Sequence, residues 1–493
     1  MGRFLQKLRV SPLELIAFIS GMVVLAYELT AARITAPYLG ATVYTWTSII
    51  GVILAALAVG YAKGGIWADK RKSPQDVVRL LLAASALIAI VTIWKDPAIT
   101  ALLQPGAPLQ VQAFLVSVVL FAPATFCLGA LSPYLARLHI TSLKTSGQKL
   151  SNISTAGTIG SLAGTFLTGY YLFGVIGTNI ILSLLAATLF VSCLLIEPAS
   201  LIRWKVVVAV LILFSFAYHS TPNFFGVVRD MDTRYSRVLV RDVYYKNQPV
   251  RVLQTDNRGL QSGVDLSSPT HLVFGYTRAF AGAANLHANP TRYLVIGGGA
   301  FTVPAYFAQK DPTATVDTVE IDGELTAISR DYFALRSTPN LRIIQADGRQ
   351  YINESHTPYD LVYLDAFSSI VPPFQLLTTE AVARYDALLA TNGIIIGNFI
   401  DKPQGPLIRA ATATFREHFG NVKVYAVESG MDAAASQNLL LIASRSTISV
   451  PQREMAAAAS PFFQSVLQRD VTPSTDGVVP LTDDFAPIEK LTL

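Results

Sequence analysis

The chain has 493 residues, of which 52% are hydrophobic and only 14% charged. That is too long for one ordinary domain and too poor in charge for a wholly water-soluble one. The formal charge of +5 is unevenly spread, with 15 Lys and Arg against 6 Asp and Glu up to residue 220 and 23 against 27 beyond it; the basic excess belongs to the apolar half, which excludes a nucleic-acid-binding face on the mildly acidic second half.

Seven apolar segments come first: Leu13–Ile34, Thr45–Trp67, Val77–Trp94, Val111–Leu138, Ile153–Phe173, Val175–Ile196 and the shorter Trp204–Tyr218. Six are suited to spanning a bilayer as helices, and the seventh is short for a span. Lys and Arg gather before the first segment (Arg3, Lys7, Arg9), then in alternate loops (Lys70, Arg71, Lys72, Arg79; Arg137, Lys144, Lys149; Arg203, Lys205), which predicts a cytoplasmic N-terminus. The first segment is too long, and lacks the small-residue exit, for a cleavable signal peptide. Seven crossings would leave everything after residue 220 outside the cytoplasm, and no eighth segment is found, so the side of the second half stays open. Within the first segment, "AYELTAARITAPYLG" carries Glu28 and Arg33. Ionisable groups at that depth face a partner or a polar cavity, and both alternatives stand: an Arg at the membrane edge with a Glu bonded to another helix, or a substrate or ion site. Gly157, Gly160, Gly164 and Gly169 in "STAGTIGSLAGTFLTGYYLFG" predict close helix packing. The two cysteines, Cys127 and Cys193, form no metal or redox motif.

From Thr221 the pattern changes. "RVLVRDV" and "VRVLQT" alternate as an antiparallel hairpin. Strand and helix patterns then take turns: "YLVI" (Tyr293–Ile296) before a glycine triplet and a helix to about Gln309, "TVDTVEID", a helix near Leu325–Phe333, "LRIIQAD", "YDLVYLDAF" and "GIIIGNFI", with "NVKVYAV" and "NLLLIAS" as a closing antiparallel pair. This predicts a doubly wound, mostly parallel sheet, whose ligands sit beyond the carboxyl ends of the strands. There fall Gly297, Gly298 and Gly299, which let backbone approach a ligand; Glu320, 23 residues after Gly297, an acceptor for ribose hydroxyls; Asp347 in "QADGRQ", an acceptor for an exocyclic amine; and Asp365 in "LDAFSS", at a strand end suited to a catalytic carboxylate. The triplet lacks the third spaced glycine of a dinucleotide fingerprint, and no phosphate loop is present. An adenosyl ligand without a pyrophosphate is therefore expected.

These residues resemble the spermidine synthase (polyamine aminopropyltransferase) family, and more closely the bacterial proteins that fuse a multi-span membrane part to a spermidine synthase-like domain. "YELTAARITAPYLGATVYTWTSIIG" and "STAGTIGSLAGT" carry the resemblance in the membrane part; "YSRVLV", "LQSG", "VIGGG", "VEID", "ADGR" and "LDAFSSIVPP" carry it in the synthase part. The resemblance implies a Rossmann-like, class I methyltransferase-type α/β domain after an α-helical multi-span membrane domain and a small β-hairpin region. It also implies transfer of an aminopropyl group from decarboxylated S-adenosylmethionine to an amine such as putrescine. Under it, Gly297–Gly299, Glu320, Asp322, Asp347 and Gly348 would bind the donor, with Glu320 on the ribose and Asp347 on the adenine amino group. Asp365 would be catalytic, and Gln261, Tyr276 and Ser368 would line the substrate pocket. The sequence departs from the family pattern at three acids. Ala300 replaces the Asp that follows the glycines, Tyr276-Thr277-Arg278 replaces Tyr-His-Glu, and Asp365-Ala366-Phe367-Ser368 replaces Asp-Ser-Ser-Asp.

The expectation is thus three regions: a membrane domain of about seven helices over residues 1–220, a β-strand-rich leading segment over 221–290, and a spermidine synthase-type domain over 291–493. The expected function is a membrane-bound transferase using S-adenosylmethionine, decarboxylated or not, as co-substrate, with no tightly bound cofactor and no metal. The alternative is a transporter or sensor whose soluble half binds a polyamine or nucleoside without turnover. Expected partners are the bilayer of a bacterial inner membrane and a small amine, with a homodimer as candidate assembly and no nucleic acid.

Overall fold

The computed structural model describes residues 11–104, 107–197, 199–218, 226–255, 259–367, 372–430 and 435–492. It divides into two compact units: residues up to 223 together with Met231–Arg237, and Phe224–Asp230 together with Val238–Leu493.

The first unit is a helical bundle: α1 (Pro12–Leu39), α2 (Val43–Lys70), α3 (Pro74–Leu102), α4 (Leu109–Leu120), α5 (Ala122–His139), α6 (Ser146–Phe166), α7 (Thr178–Ile196) and α8 (Ile202–Tyr218). Four of them, α1, α2, α3 and α7, are long and apolar enough to cross a membrane, and α4 with α5 forms a fifth such element bent by 55°. The sequence reads α4 and α5 as one span. The break has a cause, because Pro123 sits in the first turn of α5 and cannot donate its share of a continuous ladder. Helix α6 is diluted by Gly, Ser and Thr, and α8 has 17 residues, about 25 Å of helix; neither reaches that mark.

Helix α1 starts with a capping box between Ser11 and Glu14. It runs parallel to α6 at backbone contact: a Cβ on Gly160 would lie 1.9 Å from the Phe18 carbonyl oxygen, and one on Gly164 2.2 Å from that of Met22. In the same way Gly60 approaches the Phe126 carbonyl of α5. Small residues make such approaches feasible, and close dispersion contact is what holds helices together in lipid. Helix α7 returns antiparallel to α3, with Ser85 Oγ donating to the Ala186 carbonyl at 2.7 Å, and α8 turns back along α7, with Ser183 and Ser215 hydroxyls 2.9 Å apart.

The bundle has two polar ends. At the Ser11 end, Glu14 accepts from Asn152 Nδ2 at 2.8 Å and lies 3.3 Å from His139 Nε2. At the opposite end Asp96 gathers Lys95 (2.8 Å), the Tyr38 hydroxyl (2.7 Å) and Arg237 (3.6 Å). There too Arg33 stacks 4.3 Å from the Phe173 ring centroid and donates to the Thr233 (2.5 Å) and Arg234 carbonyls. Asp232 accepts from the Thr178 N–H at the start of α7, where the helix dipole favours an anion. Residues 231–237 therefore group with the bundle rather than with the strands around them. Arg33 is accordingly engaged at the bundle end, whereas Glu28 is half-buried in α1 and makes no hydrogen bond or ion pair among the described residues.

The second unit opens with a four-stranded sheet in the order β1 (Val227–Asp232), β2 (Arg237–Tyr245), β3 (Gln248–Gln254), β4 (Ser262–Val264). Strands β2 and β3 pair antiparallel across Lys246 and Asn247, both at positive φ (47° and 64°), the requirement of a tight hairpin turn. After α9 (Gly275–Ala283) the chain builds a seven-stranded sheet. Its elements are β5 (Arg292–Ile296), α10 (Thr302–Lys310), β6 (Thr315–Glu320), α11 (Gly323–Tyr332), β7 (Leu341–Gln345), α12 (Gly348–Glu354), β8 (Tyr359–Leu364), α13 (Thr379–Leu388), β9 (Leu389–Asp401), α14 (Pro406–Arg416), β10 (Asn421–Ala426) and β11 (Gln437–Ser444). The order is β10-β11-β9-β8-β5-β6-β7, with β5 to β9 parallel and β10 and β11 antiparallel. Alternate residues feed two cores, Leu294, Ile296, Val362 and Ile395 on one face and Tyr293, Val295, Leu361 and Ile394 on the other. Burial on both faces is why these strands read as continuous apolar runs. The strand order reverses at β5, so the crevice that can hold a ligand lies beyond the carboxyl ends of β5 and β8.

Candidate active site

Register decides which side chains meet in that crevice. Ile296 of β5 pairs with Val319 of β6 and Leu364 of β8, and Leu364 pairs with Gly397 of β9. The next residue on each strand is Glu320, Gly297, Asp365 and Asn398, so these four form one row across four adjacent strands. Asp347 lies two residues past the end of β7, at the start of α12.

Gly297 and Gly299 have φ of +98° and +51°, and each also lacks room for a side chain. A Cβ on Gly297 would meet the Asp365 carbonyl at 2.4 Å, and one on Gly299 the Ser262 Oγ at 2.6 Å. The triplet thus presses directly on the Asp365 turn and on β4. Helix α10 begins five residues after Gly297, at Thr302, behind a left-handed Phe301. Ala300 is 1% exposed and donates its N–H to Ser262 Oγ at 3.2 Å.

Glu320 is buried beneath the triplet. Its Oε2 accepts from the N–H groups of Gly298 (2.7 Å) and Gly299 (3.3 Å), and Oε1 from that of Asp322 (2.9 Å). Burial pushes this carboxyl above its ordinary range, and the three N–H groups oppose the rise. Asp322 is 3% exposed and caps α11 through the Glu324 N–H at 3.2 Å. Asp347 caps α12, with Oδ1 accepting from the Arg349 (2.8 Å) and Gln350 (3.0 Å) N–H groups. Gly348 packs against Ile296, where a Cβ would stand 2.9 Å from the Ile296 side chain.

Asp365 sits below the surface of the crevice. Its carboxyl is pushed up to about 7 by burial, against the opposing hydrogen bond from Asn398. Asn398 Nδ2 donates to Asp365 Oδ1 at 3.1 Å, and Asn438 Nδ2 of β11 donates to Asn398 Oδ1 at 2.9 Å. Tyr276 is buried on α9 and donates its hydroxyl to the Gln261 carbonyl at 2.7 Å. Burial and the charge of Asp365 hold that hydroxyl well above its ordinary pKa, while Ser262 beside it pulls the other way.

The structure therefore brings Gly297–Gly299, Glu320, Asp365, Tyr276 and the Gln261 backbone to one crevice, with Asp322, Asp347 and Gly348 on the turns around it. Ser368 lies outside the described residues. Arg278, at the position of the family's Glu, instead lays its guanidinium 4.1 Å from the Phe462 ring centroid. Sequence reasoning overlooks Ser262, Asn398 and Asn438. A lone Asn inside "GIIIGNFI" was the available signal, since a polar side chain in a buried strand needs a partner.

Such a row can bind a nucleoside through backbone and carboxylate, and can hold or release one proton near neutral pH. Residues 273–428 match the spermine/spermidine synthase domain model. A polyamine aminopropyltransferase of Vibrio vulnificus is 27% identical over 231 residues, covering 45% of this chain and 76% of that protein. A probable polyamine aminopropyl transferase of Bifidobacterium longum is 30% identical over 148 residues, 30% of this chain and 32% of its own length. The crystal structure of a probable spermidine synthase from Corynebacterium glutamicum superposes with a TM-score of 0.40 at 26% identity, covering 48% of this chain and 87% of that one. Residues 273–428 are thus similar to the spermine/spermidine synthase domain, and the second unit has the Rossmann-like mixed sheet of a spermidine synthase-like, aminopropyltransferase-like domain.

Proposed function

We propose that the protein is a membrane-bound transferase that binds an S-adenosylmethionine-type donor and moves its aminopropyl or a related group to an amine. The observation that carries this reading is Asp365, a half-buried carboxyl beside the glycine turn, bonded to Asn398 and pushed up to about 7 by desolvation. A general base works best when its pKa lies near the working pH, and an ammonium acceptor must lose a proton before it can attack. In the proposed step the amine lone pair forms the new N–C bond, the C–S bond breaks with its electrons going to the sulfonium sulfur, and the proton released by the amine passes to Asp365. Glu320 would take the ribose hydroxyls on oxygens that otherwise serve the Gly298, Gly299 and Asp322 N–H groups. Asp347, with Asp322 and Gly348 shaping the turns, would face the adenine. Tyr276, Gln261 and Ser368 would line the acceptor side.

The acceptor follows from charge. Ala300, Arg278 and Ser368 stand where the family has acids, so Asp365 is the carboxylate left to meet the amine. A dication would bring a second ammonium with no anion to receive it, at a cost of several kcal/mol. The reading is therefore of an acceptor with one amine in the crevice rather than a diamine of the putrescine kind.

The test uses the full chain in detergent or membrane vesicles, supplied with decarboxylated or intact S-adenosylmethionine and a panel of mono- and diamines. Binding of at least one donor by titration calorimetry and release of the demethylated or methylthio nucleoside product are expected. Asp365→Asn should cut turnover at least 100-fold, the scale of a lost general base, while donor affinity stays within a few-fold. Binding of neither donor, or full activity in Asp365→Asn, rejects the proposal.

A further inference from the structure

The geometry points to a binding site for the phosphate of an anionic phospholipid, in a cleft between the end of α2, the start of α3 and α5. The cleft measures about 350 Å³. Its polar wall holds Lys70, Arg71 and Arg79 around a single carboxylate, Asp76. Asp76 is the organiser: its side chain is 14% exposed, and it grips Arg79 Nη1 at 2.6 Å and Arg71 Nε at 3.4 Å. The Tyr134 hydroxyl, 3.3 Å from both the Arg71 carbonyl and Asp76 Oδ2, fixes the same corner.

That arrangement leaves two guanidinium groups oriented but only partly used. Each spends one nitrogen on Asp76, and among the described residues the other nitrogens of Arg71 and Arg79, and the whole ammonium of Lys70, have no partner. Three cations against one anion leave a surplus of two positive charges at one point. Planar guanidinium forks are the donors best shaped for phosphate oxygens, and a lysine beside them adds a point charge.

The other wall chooses the kind of phosphate. Trp67 and Leu80 line it, and Trp67 is held edge-on against Phe126 at 5.9 Å. Above Trp67 the outer face of α2 is a run of exposed apolar side chains, Ile66, Val59 and Leu54. A cationic pocket at the foot of an apolar helix face fits a molecule with an anionic head and acyl tails, and an indole belongs at that depth of a bilayer. A scatter of loop lysines would serve the cytoplasmic bias of charge equally well; it would not need a shared, largely covered carboxylate to hold two arginines beside a cleft.

The experiment is native mass spectrometry or lipid-retention analysis on the intact, detergent-solubilised protein. The probes are phosphatidylglycerol and phosphatidylcholine of identical acyl chains, with inorganic phosphate as competitor. Wild type should retain phosphatidylglycerol in preference. Lys70→Gln removes a charge with no partner among the described residues, so it should leave thermal unfolding unchanged and weaken retention about fivefold, the effect of one surface cation; Arg71→Gln should weaken retention to a similar degree and the double variant should abolish the preference. Equal retention of the two lipids by wild type overturns the proposal. Displacement by millimolar phosphate without lipid preference reassigns the cleft to a free anion and overturns the lipid assignment. An unchanged preference in the double variant places the lipid elsewhere and overturns it as well.

Discussion

At the residue scale the site turns on a chain of three side chains, Asp365, Asn398 and Asn438. Asn398 is the hydrogen-bond donor that opposes the burial-driven rise of Asp365. Replacing it by Ala should therefore raise the Asp365 pKa further, and the acid limb of the pH–rate profile should move from about 7 to higher pH with turnover at high pH largely restored; an unmoved limb would show that Asn398 does not tune the base. The same carboxyl affects stability with a defined sign. Its folded-state pKa lies above its ordinary value, so its contribution is complete below about pH 4 and is lost as pH rises through about 7. Asp365→Asn should then lose activity and yet unfold at a higher temperature than wild type at pH 8, the gap closing progressively as pH falls to about 4. Asp365, Glu320 and the glycines were legible because strand ends announce themselves as the last residue of an apolar run. Asn398 and Asn438 were not, since their meeting depends on β9 and β11 lying side by side, which no local pattern states. Glu320 was legible as an acid in the right place, but its three backbone hydrogen bonds depend on the left-handed turn above it.

At the element scale the sheet was readable nearly strand by strand, because burial on both faces gives uninterrupted apolar runs, in the closing strand β11 as in the parallel ones. Helix ends in the apolar half were less readable. Apolar composition marks a span but not the break within one, and the α4–α5 bend comes from a single proline among similar apolar residues. The contact of α1 with α6 is where small residues matter most. Gly160→Ala would put a methyl group 1.9 Å from the Phe18 carbonyl oxygen, whereas at Gly157 the nearest atom, the Ala17 carbonyl oxygen, stands 3.6 Å away. Thermal unfolding in detergent should show Gly160→Ala destabilised by about 2 kcal/mol, in the range of overpacked cores, and Gly157→Ala close to wild type. Equal effects at the two positions would mean that α1 and α6 do not touch as described.

At the scale of the whole molecule, helix direction turns the open question of sidedness into a prediction. Helix α6 runs parallel to α1, α7 returns and α8 turns back along α7, so α8 ends at the bundle end opposite Ser11. The cationic loops with Lys70, Arg71, Lys72, Arg79, Arg137, Lys144, Lys149, Arg203 and Lys205 belong to the Ser11 end. The positive-inside rule predicts that end to be cytoplasmic, and a chain that crosses with α8 would continue on the other side. Alkaline phosphatase fused after Leu493 should be active in intact cells, and a green fluorescent protein in the same place should stay dark. The reverse pattern would mean that α8, at 17 residues, does not cross. An outward-facing domain would also have to draw its sulfonium donor from beyond the cytoplasm.

The segment Met231–Arg237 gives this layout a practical edge. Asp232 binds the start of α7, Arg237 reaches Asp96, and the backbone of Thr233 and Arg234 holds Arg33. A cut at residue 220, however natural it looks in the sequence, does not yield two intact proteins. It strips the bundle of a plug and leaves the liberated half with a seven-residue stub whose acid and arginines face water where they had faced helix ends. Biochemistry on the severed half would report on a protein with a damaged leading edge, so failure of such a fragment to turn over substrate says nothing about the intact chain.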